Sequence, residues 1–259
     1  VKPTAIADRF TQLAESGRRA LVCYVTAGHP TPEQSLALIR GIADAGADII
    51  EVGVPFSDPM ADGPVIQRSS QIAIDQGMTL EGTLDLIRRA DVRAPVVLFS
   101  YLNPLLAGGP DVLHRARESG VSGVLVTDLP VGADPEREAW FGESGLDFVR
   151  LVAPTTPAPR MAAIAQHGGG FVYLISRMGV TGEQATLASE LPETVARLRA
   201  STTLPICVGF GISTPEQAAT VARMGDGVIV GSALVRAAER SIDEAIALVA
   251  SLRAAIDAA

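Results

Sequence analysis

Two carboxylates stand out for what they could do together. Glu51 interrupts an apolar run, Asp48-Ile49-Ile50-Glu51-Val52-Gly53-Val54, and Asp62 follows in a Pro- and Gly-rich loop that also carries Asp58. Burying a lone carboxylate is costly and raises its pKa. A Glu at the end of a strand beside a loop Asp is the pairing that proton-transfer chemistry requires. Each residue also has a plainer reading. Glu51 would serve as a structural carboxylate if backbone amides or an arginine satisfied it. An Asp in a Pro/Gly loop is commonly a turn or capping residue. Spacing alone does not choose between Asp58 and Asp62.

A second chemical signal lies late in the chain. Gly179-Val180-Thr181-Gly182, Gly209-Phe210-Gly211-Ile212-Ser213 and Gly231-Ser232-Ala233 each follow an apolar run. Without a Cβ, backbone N–H groups approach an anion closely, and a helix N-terminus adds about half a positive charge. Gly209 and Gly211 make half of a dinucleotide fingerprint, but the third glycine is missing and the position is too late in the chain. A phosphate cradle is the expectation.

Other chemistries are excluded or disfavoured. Lys2 is the only lysine, so a Schiff base to substrate or pyridoxal phosphate has no suitable amine. His29, His114 and His167 are far apart and form no metal-ligand spacing, so no metal site is expected. Cys23 and Cys207 lie in apolar runs without a CxxC and read as reduced core thiols of a cytoplasmic protein. A net charge of −8 argues against nucleic acid. No apolar run approaches the roughly 20 residues of a membrane span. Residues 1–16 are amphipathic, with Ile6, Phe10 and Leu13 at helical spacing, and read as a helix, not a signal peptide.

The elements that must position these groups recur regularly. Apolar runs at 20–26, 48–54, 95–101, 123–128, 147–152, 170–175, 205–209 and 227–230 are near-continuous, as in parallel strands buried on both faces. Helix starts are signalled at Thr31-Pro32-Glu33-Gln34, Thr214-Pro215-Glu216-Gln217 and Ser241-Ile242-Asp243-Glu244, each read as a capping box. Strands alternating with helices over 259 residues predict one (β/α)8 TIM barrel across 1–259, with an extra N-terminal helix. An open doubly wound sheet is less suitable, because the turn after the first strand, Ala27-Gly28-His29-Pro30, is not a dinucleotide loop. Long connections after strands 2 and 6 predict mobile loops over the barrel mouth. In strand 2, Ile50, Val52 and Val54 should face the helices, and Ile49, Glu51 and Gly53 the barrel interior.

With these residues in view, the chain resembles the alpha-subunit family of tryptophan synthase. The resemblance rests on Glu51-Val-Gly-Val-Pro-Phe-Ser-Asp-Pro-Met-Ala-Asp-Gly-Pro64. It extends through residues 77–81, 100–104, 176–182, 209–213 and 230–235, in order along nearly the whole chain. It implies cofactor-free retro-aldol cleavage of indole-3-glycerol phosphate to indole and glyceraldehyde 3-phosphate. Glu51 falls on the family's catalytic Glu, which protonates indole C3 and takes the proton of the glycerol hydroxyl. Asp62 falls on the carboxylate that accepts from indole N1–H. Tyr173 falls on the active-site Tyr and Thr181 on the loop Thr that closes the site. Gly182, Gly211, Gly231 and Ser232 fall on the phosphate cradle. Tyr24, Phe99, Leu125, Val152, Phe210 and Ile229 fall on the indole slot, and by pattern alone would be ordinary core residues. Tyr24, Phe99 and Val152 stand where other members carry different side chains.

The resemblance also implies a partner. The family's beta subunits carry pyridoxal phosphate and receive indole through a channel in an α2β2 assembly. The loop near Asp58 and Pro59 and the region near Asn103 and Pro104 would face beta, and Met60 and Leu105, as exposed apolar residues, are compatible with this. A freestanding lyase, a non-catalytic activating subunit and a phosphate-handling isomerase are the alternatives. The intact Glu51, Asp62 and glycine turns argue against the non-catalytic reading.

Overall fold

The computed structural model describes residues 4–175, 184–209 and 211–259, without the side chains of 184–190. Its elements run in the order α1 (Ala5–Glu15), β1 (Ala20–Thr26), α2 (Pro32–Asp44), β2 (Ile49–Gly53), α3 (Pro64–Asp75), α4 (Leu80–Ala90), β3 (Val96–Ser100), α5 (Leu102–Ala107), α6 (Val112–Glu118) and β4 (Val121–Val126). They continue with α7 (Pro135–Glu143), β5 (Asp147–Val152), α8 (Ala158–Gln166), β6 (Val172–Ile175), α9 (Gln184–Arg199), β7 (Ile206–Gly209), α10 (Pro215–Ala222), β8 (Gly227–Val230), α11 (Ser232–Arg240) and α12 (Ile242–Asp257). The strands pair in chain order, β1 to β8 and back to β1, all parallel, in a closed barrel. The (β/α)8 expectation holds.

The barrel sorts its side chains by the two-residue period of a strand. Ala20, Val22, Ile49, Val97, Leu125, Val149, Cys207 and Ile229 fill the interior. The alternate residues, among them Leu21, Cys23, Ile50, Val52, Leu98, Val124, Val208 and Val228, pack against the surrounding helices. Cys23 and Cys207 therefore lie in different shells, and both are free thiols. Helix α1 plugs the N-terminal end: Ile6, Phe10 and Leu13 join the interior cluster, and Phe10 meets Phe171 with ring centroids 5.9 Å apart.

Charges at that end are paired. Asp48 is 1% exposed. Its Oδ2 accepts from the Leu21 amide at 2.7 Å and from Arg253 at 2.8 Å, and Arg9 binds its other oxygen.

Several details depart from expectation. The connection after β2 owes its length to two helices, α3 and α4, with its longest loop between Gly53 and Pro64. Strand β4 begins at Val121 and ends before Asp128, whose carboxylate instead accepts from the Leu102 amide at 2.7 Å. The reciprocal capping box forms at Thr214, where Gln217 also accepts from the Ser213 amide. At Thr31 only the side-chain cap to the Gln34 amide is present. Ser241 caps α12, but Glu244 turns to Arg240 at 2.6 Å, because a charged partner competes for the carboxylate. Leu105 is fully buried, and its neighbour Leu106 is the exposed one. On a short helix, adjacent residues face different directions.

Candidate active site

The site grows from the inward set of side chains at the C-terminal ends of the strands. Register places Tyr24 opposite Glu51 across β1 and β2, Phe99 opposite Leu125 across β3 and β4, and Leu151 opposite Tyr173 across β5 and β6. Gly209 pairs with Ile229 across β7 and β8. Neighbours in register point the same way, so these residues line the mouth of the barrel.

Glu51 is 1% exposed, and its Oε1 is buried without a hydrogen-bond partner among the described residues. Among the described residues no arginine or amide satisfies that oxygen, as a structural carboxylate would require. Burial alone pushes its pKa up from 4.5 to about 8. At neutral pH the group is mainly the neutral acid.

Asp62 sits in the loop after β2 and is half-buried. Burial raises its pKa to about 6, and a hydrogen bond donated by the Tyr101 hydroxyl at 2.9 Å opposes that rise. Tyr101 also accepts from the Ala61 amide at 2.9 Å, and its ring packs against Phe56 with centroids 5.1 Å apart. Asp58 is exposed and accepts from the Ser57 hydroxyl at 2.7 Å. Of the two loop carboxylates, Asp62 is thus the one that is partly buried and held by a phenol, and Asp58 the exposed one. Two acids held apart in this way, one neutral and one ionised at pH 7, can divide proton donation from charge stabilisation.

Two tyrosines complete the polar rim. Each lies over a glycine on the next strand: a Cβ on Gly53 would fall 2.1 Å from the Tyr24 oxygen, and one on Gly209 would fall 2.7 Å from the Tyr173 oxygen. Burial is the main cause that holds both phenols in the protonated form, with Asp62 and Glu51 adding to it at Tyr24 and Glu51 at Tyr173. Tyr24 meets Phe99 edge-on with centroids 5.2 Å apart, forming an aromatic wall backed by Ile66 and Val235.

The side expected to take a phosphate is built from backbone. Gly231 precedes α11, and no side chain caps that helix. The hydrogen bonds returning to the Gly231 carbonyl come from Leu234 at 2.8 Å and Val235 at 3.1 Å, so the Ser232 and Ala233 amides, like all helix-start amides, have no intrahelical acceptor. Gly211 has φ +78°, a left-handed conformation that favours glycine. Thr181, Gly182 and Phe210 lie outside the described residues.

Most of the expected slot residues converge here, with one exception. Val152 lies in the outer shell among the helix-facing residues, paired with Leu174, and does not face the barrel interior. The inward residue is its neighbour Leu151, which packs with the interior cluster beside Tyr173. Counting by twos from Val149 would have found it. Tyr101 was also missed as a site residue: it lies past the end of β3, and its reach to Asp62 is a tertiary contact. The histidines do not converge. His29 faces Glu239 at 3.5 Å and His114 pairs with exposed Glu118 at 3.3 Å. Among the described residues no three metal-ligating side chains cluster, and no helix is long and apolar enough to cross a membrane.

Comparison with known proteins places these features in context. A family model described as tryptophan synthase alpha chain matches residues 10–258. Tryptophan synthase subunit alpha from Legionella pneumophila str. Paris is 37% identical, with TM-score 0.90 over 99% of both chains. A chain in the aminoacrylate-bound form of tryptophan synthase from M. tuberculosis is 33% identical, with TM-score 0.89 over 98% of this chain and 99% of that one.

Proposed function

The chain belongs to the tryptophan synthase alpha-chain family, carbon–carbon lyases that cleave indole-3-glycerol phosphate, and we propose that Glu51 and Asp62 carry the cleavage here. The observation that carries this assignment is the buried Glu51 carboxyl at the barrel mouth, whose Oε1 has no partner among the described residues, with the Tyr101-bound Asp62 carboxylate in the loop that follows the same strand.

The substrate phosphate sits at the start of α11, against Gly211, Gly231 and Ser232, with Gly182 completing the cradle. The indole ring lies between Tyr24, Phe99, Leu125, Leu151, Phe210 and Ile229, with Tyr173 at its edge, and Thr181 closes the site. Neutral Glu51 gives its proton to indole C3. The ring becomes an indoleninium cation, and Asp62 accepts the N1–H bond and faces the positive charge. The Glu51 carboxylate then takes the proton of the glycerol hydroxyl next to the bond to be broken. A C=O forms, the C–C bond breaks, and its electron pair restores the indole. Glu51 ends protonated, as it began. No metal or organic cofactor is needed in this chain.

The proposed partner is the beta subunit of an α2β2 tryptophan synthase, whose pyridoxal phosphate consumes the indole. Met60 in the loop after β2 is 85% exposed and Leu106 on α5 is 38% exposed, and both follow strand ends at the mouth. Buried, unpaired cysteines suit a reducing compartment, and the cytoplasm is the proposed location.

The test is indole release by Glu51→Gln. This substitution keeps size and hydrogen bonding but removes the proton carrier, so turnover should fall at least a thousandfold while phosphate ligands still bind. Near-normal turnover would end the assignment. Added beta subunit should stimulate the parent chain and trap its indole. Free indole in solution, unaffected by beta, would favour a freestanding lyase.

A further inference from the structure

Helix α3 is tied to the site on two sides. The Gln67 side chain donates from Nε2 to the carbonyls of Pro59 at 3.3 Å and Asp62 at 2.9 Å. Both carbonyls belong to one turn, since the Asp62 amide returns to the Pro59 carbonyl at 3.1 Å. The next residue, Arg68, pairs with Glu239 near the end of α11. Ile66 of α3 and Val235 of α11 share a cluster with Tyr24. Val235 and Glu239 are four residues apart, so one face of α11 meets α3 first through an apolar side chain and then through a charged one.

Glu239 has two neighbours, and only one is a cation. Its Oε1 lies 3.5 Å from Nε2 of His29, which follows β1, and neither atom has a hydrogen-bond partner among the described residues. His29 is 2% exposed. Burial holds its pKa below the ordinary 6.5 although Glu239 pulls it up, and Arg68 adds to the lowering. The imidazole is therefore neutral at pH 7. The charge of Glu239 is met by Arg68, which holds the other oxygen.

These links form a series. Helix α11 starts at Gly231 and Ser232, the proposed phosphate side, and holds Arg68 near its far end. Adjacent positions on α3 carry Arg68 and Gln67, and Gln67 holds the backbone that bears Asp62. We propose that Gln67, Arg68 and Glu239 are positioning residues for the cleavage, which make α3 a strut between the phosphate-binding helix and the Asp62 loop. The proposal rests on the reading of Asp62 and of the α11 start given above. The substrate is anchored by its phosphate and reacts at its ring, so the carboxylate must be placed relative to that anchor, and a misplacement of about 1 Å costs rate. Tyr101 holds the Asp62 side chain from the end of β3, and the strut holds its backbone from α11.

The experiment measures kcat for indole release and the inhibition constant of glycerol 3-phosphate, a phosphate probe without the ring. It uses the full chain and its Arg68→Gln, Arg68→Lys, Glu239→Gln, Gln67→Ala and Asp62→Asn variants, with the double variant Gln67→Ala/Arg68→Gln. A tie can bias the loop by no more than its own free energy, and Arg68 is exposed, so the expected effect is about two- to fivefold. Arg68→Gln and Glu239→Gln should each lower kcat by that factor while glycerol 3-phosphate binds as it does to the parent. Arg68→Lys keeps the charge and should recover most of the loss. Gln67→Ala should also lower kcat, and adding Arg68→Gln to it should cost nothing more, because links in series fail together. Parent kcat in Arg68→Gln, full multiplication of the two losses in the double variant, or an equal weakening of glycerol 3-phosphate would each overturn the proposal. If Glu239→Gln fails to fold beside buried His29, Arg68→Gln decides alone. Parent turnover in Asp62→Asn would defeat the underlying reading, whereas an impaired Asp62→Asn with parent kcat in the other variants defeats only the strut.

Discussion

The hydroxyl of Tyr101 donates to Asp62 Oδ2 at 2.9 Å while accepting from the Ala61 amide at 2.9 Å, so one phenol fixes both the carboxylate and the backbone that carries it. Tyr101 lies just past β3, and Asp62 lies in the loop after β2. The bond therefore ties a flexible-looking loop to the barrel frame at the point where the proposed chemistry needs a fixed acceptor.

Tyr101→Phe removes this donor and keeps the ring. A hydrogen bond to a charged group contributes about 1.5–3 kcal/mol, so kcat/KM should fall roughly 10- to 100-fold. The pH profile should show which group was touched. With the proposed roles, the parent's activity should rise as Asp62 loses its proton near pH 6 and fall as Glu51 loses its proton near pH 8. The Tyr101 bond lowers the Asp62 pKa, so its loss should move the acid limb to higher pH and leave the alkaline limb in place. An unmoved acid limb would separate Tyr101 from Asp62.

Glu51 should cost the fold stability in alkali. Its pKa is raised from 4.5 to about 8, so the folded state holds the proton more tightly than the unfolded chain does. The resulting stabilisation is complete below pH 4.5 and is lost as pH rises through about 8. Glu51→Gln cannot ionise. It should match the parent near pH 4 and exceed it increasingly toward pH 9, by at most roughly 5 kcal/mol. Denaturant titrations at both pH values measure this. A constant difference would mean that Glu51 is not desolvated in the folded protein.

The two glycines under the phenols should be intolerant of a methyl group. In Gly53→Ala the new Cβ would lie 2.1 Å from the Tyr24 oxygen, and in Gly209→Ala it would lie 2.8 Å from Ile229 Cβ as well as against Tyr173. Each substitution should displace a rim tyrosine and lower kcat/KM by at least tenfold. Combining Gly53→Ala with Tyr24→Leu should be less than additive, because the second change removes the clashing ring. Full additivity would place the defect elsewhere.

At the far end of the barrel, Asp48→Ala should affect stability and leave the chemistry alone. It removes the buried carboxylate partner of the Arg253 guanidinium, 7% exposed, and leaves it the exposed Asp257 at 2.5 Å. Breaking a buried pair costs about 3–5 kcal/mol. Folded protein should cleave substrate at the parent rate, and a changed rate at full occupancy of the folded state would show that strain travels along β2.

Much of this protein is written in its sequence, because local patterns carry it. Near-continuous apolar runs marked the strands, and 20–26, 147–152 and 227–230 match β1, β5 and β8 as formed. The two-residue period put Glu51 and Gly53 inside the barrel and Ile50 and Val52 outside, since alternation is a property of any strand. The same rule, applied from Val149, selects Leu151 over Val152. What the sequence could not determine is who meets whom across the mouth. The choice of Asp62 over Asp58 depends on burial and on a tyrosine that arrives from a different strand. Gly123 reads as the first residue of the fourth apolar run, and only the structure shows why it is small: Ile6 of α1 would lie 2.8 Å from any Cβ there. Gly53 and Gly209 are small because phenols from neighbouring strands lie on them. Desolvation of Glu51 arises only when the barrel closes, since a pKa belongs to an environment and not to a residue.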